Sequence, residues 1–178
     1  MFSKEGAMAA ATVFVPVEEY LRSSYDPDAE YIDGQIEERP LGEYDHSAWQ
    51  RAIVFWFQLQ AKDAQIRVCP ELRVEVAPVS FLVPDVTLLD RNRPIEQIVT
   101  HPPVAVFEIL SPEDTLKRMM KKCERYEKMG IQTILVLDPD GPKYRYQAGR
   151  LEPLDARAFD LAGGSARFDL DEIEKLLD

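Results

Sequence analysis

Two short segments constrain the fold more than anything else in this 178-residue chain. They are FLVPDVTLLD, ending at Asp90, and VAVFEIL, ending at Leu110. Each is apolar at successive positions rather than alternate ones, the pattern of an interior strand covered on both faces. Each also holds one acid among apolar neighbours, Asp85 and Glu108. A buried carboxylate without a partner is costly, so it is normally paired, neutralised or given a metal. The chain therefore needs a sheet with a layer on each side, and partners for two acids.

Neighbouring segments supply the layers. PVEEYLRS predicts a short helix entered through Pro16, and YIDGQIEER predicts a hairpin, because Asp33-Gly34 tolerates positive φ. DHSAWQRAIVFWFQLQAKD carries Trp49, Ile53, Trp56, Phe57 and Leu59 at helical spacing, with Asp45 or Ser47 as cap. IRVCPELRVEVAP alternates apolar and charged residues as one strand, and Pro70 suggests an edge or a bulge. SPEDTLKRMMKKCERYEKMG predicts a helix capped by Ser111, with Pro112 in its first turn and Gly130 at its stop. TILVLDPDG adds a buried strand, KYRYQAGRLEPL a hairpin and DLDEIEKLLD a terminal helix. The central order is helix, three strands, helix, strand. It predicts an α/β (α+β) fold, a mixed central sheet flanked by helices, with N-terminal and C-terminal hairpin additions.

The length suits one domain, over residues 17–178, after a loosely ordered lead-in over residues 1–16 that offers Met8 as an alternative start. No run approaches the ~20 apolar residues of a membrane helix. Cys69 and Cys123 lack CxxC spacing and a disulfide-rich context, so a reducing cytoplasm is expected. With His46 and His101 alone, a histidine-rich zinc site is not expected. The net charge of −11 argues against coating nucleic acid through bulk electrostatics. It leaves room for an enzyme that holds nucleic acid over a small basic patch beside a cation.

Adjacent pairing of the two interior strands would bring Asp85 and Glu108 to one rim of the sheet. Two close carboxylates repel unless one is protonated or a cation lies between them. Oxygen ligands without histidine or thiolate point to a hard divalent ion, most simply magnesium. The other reading turns both acids outward, onto arginines. On the helix after Pro112, Leu116, Met119, Met120, Cys123 and Tyr126 make the apolar stripe, with Lys122 at its border. Lys122 could lay its stem along apolar surface and reach the carboxylate pair. The alternative is a solvated basic face paired at i,i+4 with nearby acids.

VPDV, then FEILSPED, then a lysine fourteen positions after the glutamate and Y…MG beyond it resemble the Uma-type restriction endonuclease family of the PD-(D/E)XK nuclease superfamily. EYIDGQIEERP and the histidine-led helix after it look like that family's N-terminal half, so the resemblance spans roughly Val17 to Asp140. It implies a restriction-endonuclease-like fold, with Asp85 and Glu108 as metal-binding acids and the Ile109 carbonyl as a further ligand. The superfamily's usual lysine position, two after the glutamate, is Leu110 here, and Lys122 holds the place to which this family moves that role. Arg118 stands where the family often has aspartate. The implied cofactor is Mg2+, with Mn2+ as a substitute, and the implied substrate is DNA. Glu71 and His46 are possible additional site residues. A homodimer is expected, because duplex cleavage needs a site per strand.

Other residues have plainer readings. Ser111 is a helix cap rather than a nucleophile, Cys123 is core, Trp49 and Trp56 are core or dimer interface, and Asp138 ends a strand. Two further functions compete with the endonuclease. One is a nuclease-like domain without activity, serving as a scaffold or nucleic-acid-binding module. The other is a glycosidase, disfavoured because a neighbouring lysine would depress the proton donor's pKa.

Overall fold

The structure is a computed structural model and describes residues 14–25, 28–40, 42–161 and 166–177. Most of the expected lead-in, including Met8, lies outside the described residues. Helix α1 (Val17–Arg22) starts after Pro16, and strands β1 (Ala29–Ile32) and β2 (Gln35–Glu38) form the expected hairpin. Its turn residues Asp33 and Gly34 both adopt positive φ, 51° and 88°, the condition for a two-residue hairpin loop. Helix α2 (Tyr44–Gln60) begins earlier than either proposed cap, with Glu43 at the cap position and Asp45 and Ser47 inside its first turn.

Both long strand segments are divided. IRVCPELRVEVAP becomes β3 (Ile66–Pro70) and β4 (Val74–Ala77), and FLVPDVTLLD becomes β5 (Ser80–Leu82) and β6 (Val86–Asp90). Pro70 and Pro84 explain the breaks, since neither has an N–H to give to a ladder. After Pro70, Glu71 turns with φ 49°, and its amide donates to the Asp85 carbonyl at 3.3 Å. The two crossovers therefore lie side by side. Each carries the chain between a four-stranded antiparallel sheet, ordered β2-β1-β5-β4, and a six-stranded mixed sheet.

The six-stranded sheet is ordered β10-β9-β8-β7-β6-β3 and is completed by β7 (Ala105–Ile109), β8 (Thr133–Leu137), β9 (Lys143–Gln147) and β10 (Arg150–Pro153). Strand β3 lies at its edge, as Pro70 suggested. Strands β7 and β8 are parallel and joined by α3 (Leu116–Met129), while their outer neighbours run antiparallel. Helix α3 starts one turn later than Ser111 predicts. Ser111 and Asp114 instead close a turn on each other, and the Thr115 hydroxyl accepts the Arg118 amide. Gly130 stops the helix at φ 100°. A small hairpin, β11 (Ala158–Asp160) and β12 (Arg167–Asp169), was not legible in the sequence; it leads into the short helix α4 (Leu170–Glu174).

The period of two along β7 separates the layers. Ala105, Phe107 and Ile109 join Ile53 and Phe57 of α2 and Phe168 of β12 on one face. Val106 faces Met119, Cys123 and Tyr126 of α3 on the other. Leu59, Leu116 and Met120, placed by periodicity on apolar stripes, are exposed instead, because each helix buries a narrower face than the spacing allows. Among the described residues, no helix is long and apolar enough to cross a membrane.

Phe57 is fully buried, its ring 5.2 Å from that of Phe107. Phe57→Ala is expected to lower unfolding stability by about 3–5 kcal/mol through the cavity it opens, read by urea denaturation followed by circular dichroism.

Candidate active site

Asp85 sits in the crossover from β5 to β6 rather than inside a strand. Pairing of Val86 with Phe107 puts it beside Glu108, which faces the α3 layer by the same alternation that directs Val106. Both carboxylates are nearly inaccessible, 3% and 2% exposed, and both line one polar pocket of about 210 Å³. The sequence-level expectation that the two acids meet at one rim therefore holds in the geometry.

Asp85 is held at both oxygens. Oδ2 accepts the Ile109 amide at 2.7 Å and lies 3.2 Å from His46 Nε2, while Oδ1 accepts Arg39 Nη2 at 2.8 Å. Gln50 Nε2 donates to the Asp85 backbone carbonyl at 3.0 Å. Burial opposes the Asp85 charge, but the His46 bond, Lys122 and the Ile109 amide outweigh it and hold its pKa below the usual value. His46 lies in the first turn of α2. Burial disfavours its charge, yet its bond to Asp85 raises its pKa.

Glu108 is held from α3. Lys122 Nζ donates to Oε2 at 2.9 Å and the Tyr126 hydroxyl donates to Oε1. Lys122 also lies 2.8 Å from Oε1 of Glu30, an acid of β1 that is 2% exposed. The same Glu30 oxygen accepts the Val83 amide at 2.9 Å. Burial would discharge Lys122, but Glu108, Glu30 and Asp85 together raise its pKa. Burial pushes the Glu108 carboxyl up, and the pull of Lys122 is partly offset by Asp85 and Glu30.

The sequence-derived candidates thus divide. Asp85, Glu108 and Lys122 share one pocket, although Lys122 bonds Glu108 and Glu30 rather than Asp85. Ile109 touches Asp85 through its amide. His46 reaches the site, and Glu71 lines the same pocket and meets Arg39 at 3.5 Å. Ser111 lines the pocket, tied into its turn with Asp114. Sequence reasoning missed Glu30 and Arg39 as site residues and saw only the ring of Tyr126. Glu30 had one readable signal, an acid alternating with Ala29 and Tyr31 in a strand; its partner comes from an element 92 residues away.

Hard oxygen donors of this kind suit a divalent cation such as magnesium, which commonly takes one or two carboxylates and fills its remaining positions with water and phosphate. Among the described residues, no three His, Cys, Asp or Glu side chains converge into a full metal cage. Asp85 and Glu108 offer a two-carboxylate seat, and Asp85 Oδ1 is bound by a side chain rather than by the backbone.

Residues 17–153 match the model of the Uma2 family, described as putative restriction endonuclease. The fold is shared with the crystal structure of a putative nuclease belonging to DUF820 from Anabaena variabilis, with a TM-score of 0.78 and 23% identity, covering 92% of this chain and 99% of that one. A cryo-EM structure of a DrdV–DNA complex aligns with a TM-score of 0.41 and 18% identity, over 74% of this chain and 10% of that one. No curated protein matches the chain.

Replacing Lys122 with methionine leaves Glu30 and Glu108 buried against each other without a cation. Lys122→Met should cost about 3–5 kcal/mol, and adding Glu30→Gln should recover part of the loss. Both are measurable by chemical denaturation; a stabilised single variant would mean that the acids already hold protons.

Proposed function

Since the chain belongs to the Uma2 family, we propose that it is a divalent-metal-dependent endonuclease that hydrolyses phosphodiester bonds of DNA. The observation that carries this reading is the convergence of Asp85, Glu108 and Lys122 in one polar pocket. Asp85 and Glu108 would hold the metal, with the Ile109 carbonyl as a further ligand and Mg2+ or Mn2+ as the ion. When bound, the cation supplies Lewis acidity, polarising a phosphoryl oxygen and lowering the pKa of water.

The chain's own groups do the remaining work. Lys122, held between Glu30 and Glu108, keeps a fixed positive charge where negative charge builds on the phosphoryl oxygens. Tyr126 fixes the Glu108 carboxylate from the helix side, and the Ile109 amide and His46 fix Asp85. These contacts hold both acids in one orientation before substrate arrives, which removes reorganisation from the reaction. Water attacks phosphorus, the phosphorus–oxygen ester bond breaks, and the departing oxygen takes up a proton to leave a hydroxyl end. Two strands of a duplex need two such sites, which a homodimer would supply.

Calorimetric titration with Mn2+ should give saturable binding to the wild-type chain that is lost in Asp85→Asn and in Glu108→Gln. Asp85→Ala should abolish metal-dependent cleavage of plasmid DNA, and Lys122→Gln should lower kcat by about 10²–10³-fold. A chain that binds no metal with or without a DNA duplex would instead be a nuclease-like domain without activity, a reading its net charge of −11 favours.

A further inference from the structure

We propose that Arg39 is a built-in counter-cation for Asp85, which a divalent ion must displace, and that Asp28 and Glu71 form the seat to which its guanidinium moves. This rests on the reading of Asp85 and Glu108 as a metal-binding pair. Arg39 follows β2, and its side chain is 14% exposed among three acids. Its contacts with them are unequal. Nη2 makes a hydrogen bond of 2.8 Å to Asp85 Oδ1, whereas Nη1 stands 3.5 Å from Glu71 and 3.7 Å from Asp28.

The second oxygen of Asp85 is taken by the Ile109 amide and His46, so Oδ1 is the one turned to Arg39. A guanidinium and a divalent ion on that same oxygen would repel at close range in a site shielded from water. One must yield. The backbone favours a short swing, because the Arg39 amide donates to the Asp28 carbonyl at 3.1 Å and anchors the residue beside its second seat. Asp28 and Glu71 are half exposed, so either can take a full ion pair without a new buried charge. Arg39 therefore keeps Asp85 neutralised in the metal-free protein, and it reduces the apparent affinity for metal by the fraction of molecules it occupies.

Calorimetry with Mn2+ on the whole chain tests this, with Asp85→Asn as the reference for site binding. Arg39→Met should tighten Mn2+ binding roughly tenfold, the factor for removing a competing state that holds ~90% of molecules. Arg39→Lys keeps a cation and should stay within about threefold of wild type. Equal or weaker binding by Arg39→Met, with wild-type binding still abolished by Asp85→Asn, overturns the proposal and leaves the metal site standing: Arg39 would then only position Asp85. Binding by Arg39→Met where wild type shows none supports the proposal in its strongest form. No binding by either overturns the metal reading and this inference with it. If Arg39→Met fails to fold by circular dichroism, Asp28→Asn takes its place. Losing part of the second seat should then weaken Mn2+ binding, and unchanged binding overturns the proposal.

Discussion

The buried placement of Glu30, Asp85 and Glu108 around one pocket is the constraint on which the rest of the site depends. Three carboxylates removed from water cannot all stay charged without cations or dipoles close by. The chain meets this with Lys122 between two of the acids, Arg39 on the third, and amides from Ile109 and Val83. Each donor comes from a different element, so the pocket exists only where β1, β2, β7, α3 and the β5–β6 crossover meet. A structural ion-pair network and a catalytic one would look alike in burial alone. What favours catalysis is that the network lines an open polar pocket instead of filling the interior.

Two prolines make that meeting point. Pro70 and Pro84 end strands that would otherwise run on, and the chain crosses between sheets at both places. Asp85 directly follows the second break. Its backbone carbonyl accepts from the Glu71 amide, in continuation of the β3–β6 register, and from Gln50, while its side chain turns into the pocket. The crossover at this point sets Asp85, at the junction of the two sheets, beside Glu108 of the six-stranded sheet and in one pocket with Glu30 of the four-stranded one.

The helix layers divide the work. Helix α2 gives Ile53 and Phe57 to the core and His46 and Gln50 to Asp85, all from one helix. Helix α3 buries Met119, Cys123 and Tyr126, and the Tyr126 hydroxyl extends from that apolar face onto Glu108. Lys122, one position before Cys123, lays its stem along the same boundary and ends between two acids, so most of its side chain is buried. Core packing and site geometry are thus set by the same side chains.

Much of this was legible in the sequence. The apolar runs around Asp85 and Glu108 required a sheet covered on both faces, Asp33-Gly34 fixed the hairpin, Gly130 fixed the end of α3, and spacing put Lys122 at a stripe border. These are local properties, decided by dihedral preference and by the periods of helix and strand. The cap of α3 was misjudged for a local reason as well, since Ser111 and Asp114 satisfy each other and leave the helix to Thr115. Arg39 could not be assigned, because nothing within a few residues distinguishes it from a surface charge, and Glu30 carried only its place between Ala29 and Tyr31 in a strand. Their roles come from Lys122 and Asp85, brought near by the pairing of β1 with β5 and by the crossover at Pro84. Sequence alone determined that Asp85 and Glu108 would need partners, since their burial follows from local hydrophobicity; only the tertiary structure added Glu30 and decided which cations answer all three, since charge pairing over such separations depends on where the sheets cross.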